Sequence, residues 1–390
     1  MRSLNEPHGV PAGAVRPANT HYVQLDGLRG AAILLVMIYH FALPHANSNS
    51  HDAGWLLQLA HIGWIGVDLF FVLSGFLITG ILVETRDRDH YLRNFLARRF
   101  LRIWPLYYAS LAVLLIILPA LTATTPAALA SMQQKQSWFW LYAANWLFAL
   151  ERGFEQTSGG YFWSLAVEEQ FYLVWPVVVY CLSERALLRT CVALLVSSLL
   201  TRVVLIHAGV ATNSLYAMTF THWDGLAVGS CLALCMRSES LIATVSRMAP
   251  LCLFGSLLGL AVIRVVDQDF FFWSANVATY GYSLLAVLFG SLLFNVIRQP
   301  QGSRVDALFT NRFMTQAGKY SYALYMVHVP VASLLFPIIY AAVRASGIAA
   351  GYEIVYALFV LASFVLSWAL AVASWHLFEK HILGLKRYFI

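Results

Sequence analysis

The run YVQLDGLRGAAILLVMIYHF places Arg29 and His40 eleven positions apart in an otherwise apolar stretch. On an α-helix that spacing is about 20° past three full turns with a rise of ~16 Å. The two side chains therefore share one face at two depths, a permanent cation near one end and a titratable imidazole further in. An imidazole held there can serve as a general base on a hydroxyl or as a nucleophile. The alternative is that Arg29 snorkels to lipid phosphate and His40 bonds a neighbouring helix.

Four further stretches carry polar groups of the same kind. In HIGWIGVDLFFVLSGFLITG, Asp68 could orient an imidazole at similar depth, as the third group of a triad does, or make an ordinary interhelical hydrogen bond. Gly63, Gly66 and Gly75 in the same stretch permit close helix approach. In TRDRDHYLRNFLARRFLRIWPLYY, Arg99 and Arg102 point to one patch beside Arg98. Their forks suit the phosphates of a nucleotide-like coenzyme, although charge anchoring of a membrane helix produces a similar run.

In GGYFWSLAVEEQFYLVWP, Ser164 lies four residues from Glu168 and Tyr161 seven. Glu168 and Glu169 point about 100° apart on a helix, so at most one should face a site squarely. That carboxylate could bond a sugar hydroxyl or act as a base, or merely complement the helix dipole. In AGKYSYALYMVHVP, Ser321, Tyr325 and His328 form one stripe, and His328 lies ~12 Å in from Tyr320, a second buried imidazole.

These groups stand in an unusual solvent. Of 390 residues 60% are hydrophobic and 11% charged, against roughly 45–50% and about 25% in soluble domains. A water-soluble enzyme is excluded. The continuous apolar runs exclude a membrane β-barrel and require an all-α, polytopic membrane protein of about ten helices. Spans are expected near 23–43, 62–83, 105–121, 161–182, 190–208, 222–236, 249–266, 275–297, 321–343 and 353–377. The tryptophan-rich segment 137–150 is too short to cross alone and should be interfacial or re-entrant.

With the N-terminus inside, 20 of the 25 Lys and Arg residues fall on the inner side, while Lys135, Arg152, Arg202, Arg264 and Arg344 fall outside or near outer helix ends. Both termini are thus expected in the cytoplasm, with tails over 1–20 and 381–390 and one membrane domain over 21–380. Topology accounts for the net charge of +6, so a nucleic-acid partner is not expected. The five cysteines show no zinc spacing or disulfide framework, and no metal is expected.

Taken in order, LDGLRG with His40 following, GVDLFFVLSGFLI, RRFLRIWPLYY, WSLAVEEQFYLVWP and GKYSYALYMVHVP resemble the acyltransferase family 3 membrane proteins, over roughly residues 21–380. That family includes bacterial O-acyltransferases acting on surface glycans, among them lipopolysaccharide and peptidoglycan. The resemblance implies an inner-membrane enzyme that takes an acyl group, most simply acetyl, from acyl-CoA (acetyl-CoA) and passes it to a hydroxyl of a glycan or glycolipid. It implies that His40 is essential, that Arg29 acts with it, and that Arg99 and Arg102 contact the coenzyme. Glu168 matches the family's acidic position.

On this reading Asp68 or Glu168 sets the tautomer of His40, and Tyr161, Ser164, Tyr325 and His328 contact the substrate. Some relatives carry an additional soluble hydrolase-like domain, so a separate periplasmic transferase is an expected possible partner. The rival expectation is an ion-coupled transporter or flippase using the same buried groups.

Overall fold

The computed structural model describes residues 22–46, 60–121, 127–154, 159–346 and 352–389; the expected tail over 1–20 lies outside them. Every regular element among the described residues is a helix. The principal ones are α1 (Val23–Ala46), α2 (Gly66–Thr85), α3 (Tyr91–Ala112), α4 (Gln136–Trp140), α5 (Ala144–Glu151), α6 (Phe162–Cys181), α7 (Glu184–His207), α8 (Trp223–Cys235), α9 (Glu239–Asp267), α10 (Tyr282–Ile297), α11 (Arg312–Lys319), α12 (Ser321–Ala345) and α13 (Tyr352–Ser374).

The molecule is apolar on its outside. Phe254 and Val265 of α9 are 70% and 76% exposed and Val204 of α7 is 64% exposed, whereas Arg202, His328 and Asn145 are fully buried. A water-soluble protein would not expose such faces, and a lipid solvent requires them. Eight helices among the described residues are long and apolar enough to cross a membrane, which makes this a multi-pass membrane protein.

Two of the ten expected spans differ from the other eight. Helix α6 has 20 residues, about 30 Å, but the run Glu168-Glu169-Gln170 lowers its hydropathy. Helix α8 has only 13, about 20 Å, and falls short of a hydrocarbon core of ~30 Å. It is entered through a non-helical bend at Met218 and a single tight turn over Thr219–Thr221. Such a break is tolerated at membrane depth only where protein groups satisfy the freed backbone. Segment 137–150 forms the two short helices α4 and α5, neither long enough to cross.

Helix α2 is the central element. A Cβ at Gly75 would collide with the Leu226 carbonyl of α8, and one at Gly229 with the Val72 carbonyl of α2, so these two glycines let the backbones touch. On its other side α2 packs along α1. The polar residues of α1, α2, α3, α6 and α12 are thereby turned toward one another.

Candidate active site

Two of the cavities within the bundle take up the residues singled out by the sequence. The polar lining of the first includes Arg29, Ser74, Arg99, Arg102, Glu168, Glu169 and Tyr325. The second has His40, Tyr39, Trp64, Tyr161, Trp163 and Tyr325 in its wall. Val67 and Tyr325 belong to both walls. Arg29 and His40 thus share α1 as their spacing requires, yet open into different chambers, the cation into the first and the imidazole into the second.

Tyr325 is fixed where the chambers meet. Its hydroxyl donates to the Tyr161 carbonyl at 2.8 Å and receives a hydrogen bond from Ser164 Oγ at 2.6 Å. Both partners lie on or beside the first turn of α6, so this pair ties α12 to α6.

His40 is held by a second imidazole. His328 Nδ1 lies 3.0 Å from the Leu324 carbonyl and 2.8 Å from that of Tyr325. Carbonyls only accept, so this nitrogen carries the proton, and Nε2 of the neutral ring is a lone pair. His40 Nδ1 stands 3.2 Å from that lone pair and 2.9 Å from the Val36 carbonyl. By the same logic His40 Nδ1 carries a proton, and its Nε2 keeps a free lone pair. The His40 ring is half-buried and lines the second cavity, whereas His328 is fully buried behind it. His328 lies against His40 and is in the wall of neither cavity, whereas the resemblance implies that it contacts substrate.

Asp68 lies elsewhere. Its Oδ1 is 3.9 Å from His222 Nε2, and no hydrogen bond or ion pair joins it to His40 among the described residues. Glu168 is engaged with Ser74 and Tyr172, which hydrogen-bond each other. The group placed against His40 Nδ1 is thus His328, and neither Asp68 nor Glu168. Both acids of α6, not one, line the first cavity: Glu169 accepts from Trp104 Nε1 at 3.1 Å, and its other oxygen has no partner.

Arg29 is 3.7 Å from Asp26. Arg99 lies over the rings of Phe95 and Tyr172, and with Arg102 it makes the cationic end of the first cavity.

A buried cluster beside Asp68 leaves no mark in the spacing of apolar and polar residues. Arg202, expected near an outer helix end, is fully buried and pairs with Asp224 at 2.9 Å. Its guanidinium also donates to the carbonyls of Thr221 and Thr279 and to Ser283 Oγ. These carbonyls belong to the turn leading into α8 and to a π-helical turn ahead of α10. Arg202 satisfies the broken backbone together with Ser198, which donates to the Phe220 carbonyl, and Thr221, which donates to those of Leu215 and Met218.

The model of the acyltransferase 3 family, an acyltransferase domain, matches residues 22–373. The chain belongs to this family. Every site residue described above lies inside the matched stretch of the acyltransferase domain. Peptidoglycan O-acetyltransferase OatA of Listeria monocytogenes is 27% identical over 343 residues, 83% of this chain and 51% of that protein. O-acetyltransferase OatA of Staphylococcus aureus is 29% identical over 322 residues, 79% of this chain and 50% of that protein. The chain thus spans about half the length of these curated relatives. No solved structure matches it.

Proposed function

We propose that the protein is a membrane O-acyltransferase that moves an acyl group, most simply acetyl, from cytoplasmic acyl-CoA to a hydroxyl of a cell-envelope glycan across the bacterial inner membrane. The observation that carries this is the pair of chambers meeting at Tyr325, one with a cluster of arginines and the other with an oriented imidazole whose Nε2 is free. Family membership and the likeness to two proteins named O-acetyltransferase support the acyl chemistry. The asymmetry of Lys and Arg supports an orientation with Arg99, Arg102 and both termini in the cytoplasm.

Arg29, Arg99 and Arg102 hold the phosphates of the donor, so its extended arm runs up the first chamber and presents the thioester near Tyr325. His40 Nε2 takes the proton of the acceptor hydroxyl as its oxygen attacks the thioester carbon. The carbon–sulfur bond then breaks, and His40 returns the proton to the departing sulfur. The products are an O-acyl ester and free coenzyme A. During the transfer the His328 lone pair accepts from His40 Nδ1 and keeps the imidazolium from turning. The ester forms directly on the glycan or is handed on to it by a separate periplasmic transferase.

The test is ester content. A deletion strain complemented with the wild-type protein should regain O-acetyl groups on its envelope glycans by mass spectrometry. Complementation with His40→Ala, inserted in the membrane at equal level, should not. Full restoration by His40→Ala would remove His40 from the chemistry.

A further inference from the structure

A further cavity adjoins the first at the arginine end. It is lined by Arg88, Arg98, Arg99, Arg102 and Lys386, with Asp89 as the one carboxylate in its wall. Arg99 and Arg102 belong to both cavities. The cations come from distant parts of the chain, the turn before α3 with the first half of that helix, and the turn Gly384–Tyr388, which Arg98 pins by donating from Nε to the Phe389 carbonyl at 2.5 Å. Positive-inside anchoring spreads charge along loops. It does not require five cations from two segments to converge on one hollow, where they repel unless an anion sits among them.

A thioester donor is long and carries its charge at one end only. With its acyl end at Tyr325, its arm in the first chamber and its pyrophosphate at Arg99 and Arg102, its 3′-phosphate must lie beyond them, inside this cavity. We propose that the cavity is the seat of the adenosine 3′-phosphate of the donor, with Lys386 and Arg98 as its ligands and Arg99 and Arg102 left to the pyrophosphate. This assignment rests on the acyl-CoA reading above and extends the donor site to a segment beyond the matched family domain.

The protein in phosphatidylcholine nanodiscs, with cell-wall fragments as acceptor, is assayed for coenzyme release from acetyl-CoA and from acetyl-3′-dephospho-CoA. The wild-type KM should be roughly tenfold higher for the dephospho donor, the loss of one charge-assisted contact. Lys386→Ala and Arg98→Ala should collapse that ratio toward one by weakening acetyl-CoA alone, and Lys386→Arg should restore most of it. Adenosine 3′,5′-bisphosphate should bind the wild-type nanodisc and compete with acetyl-CoA, a readout independent of any variant.

A wild-type ratio near one, a ratio that survives both alanine variants, or no binding of the bisphosphate would overturn the assignment. A ratio abolished by adding phosphatidylglycerol would give the cavity to a lipid phosphate and overturn it equally. If neither donor releases coenzyme while purified protein still acetylates glycan from another donor, the acyl-CoA reading fails first.

Discussion

His328 Nε2 stands 3.2 Å from His40 Nδ1, and its opposite nitrogen is held by two main-chain carbonyls. A neutral ring thus fills the place a carboxylate takes in a Ser-His-Asp triad. Within a membrane span this choice is economical, because an unpaired carboxylate costs on the order of 2.5–3.5 kcal/mol to insert. His328→Phe keeps the volume and deletes the acceptor, leaving His40 free to turn or change tautomer. kcat should fall about 10²–10⁴-fold with donor KM within about twofold, measured by initial rates in proteoliposomes. A kcat within about threefold of wild type would show that His328 only fills space.

Val67 and Tyr325 wall both chambers, so an acyl group travelling from the arginine end to His40 passes between them. Tyr325 is tied down through Ser164 and Tyr161, which leaves Val67 as the adjustable side. Val67→Ala should raise kcat/KM for propionyl-CoA relative to acetyl-CoA about tenfold, within the range that one or two methylenes command. Val67→Leu should lower both, the longer acyl chain more. Unchanged relative rates in both variants would place the acyl path elsewhere.

The helices could be read from the sequence because lipid imposes a length and a continuous apolarity that few other structures share, and the Arg29–His40 spacing survived because both residues lie on one unbroken helix. Contacts between helices could not be read. The His40–His328 pair joins positions 288 apart, and its register depends on how α12 slides along α1. Glu168 and Glu169 do diverge on the helix, but Ser74 of α2 meets one and Trp104 of α3 the other. The cavity between those helices spans the divergence. Asp68 lies 3.9 Å from His222, which sits in the non-helical lead-in to α8, and a search for long apolar runs smooths over such a lead-in.

Arg202 carries the fold where α8 is too short. Its removal strands the carbonyls of Thr221 and Thr279 and leaves Asp224 without its cation. Breaking a buried pair from one side typically costs about 3–5 kcal/mol. Arg202→Leu should therefore give a lower melting temperature in detergent and a smaller monodisperse fraction on size exclusion. Arg202→Leu with Asp224→Leu should recover part of the loss, since no lone charge remains. Wild-type melting of the single variant would show that the break needs no such clamp.

Arg99 and Arg102 face a cavity that also presents Glu168 and Glu169. With both arginines replaced by alanine, an anionic donor would approach two carboxylates with less opposing charge. Donor KM should rise on the order of 10²-fold, because two charge-assisted phosphate contacts are lost together. The wild-type KM should also climb as ionic strength increases through the range where the screening length drops below about 10 Å. The double variant, left with Arg29, Arg98 and Lys386 to attract the donor, should respond less steeply to salt. Steady-state rates in proteoliposomes at several salt concentrations separate the two behaviours. A double variant whose KM rises with salt as steeply as wild type would mean that the phosphates are held by other cations.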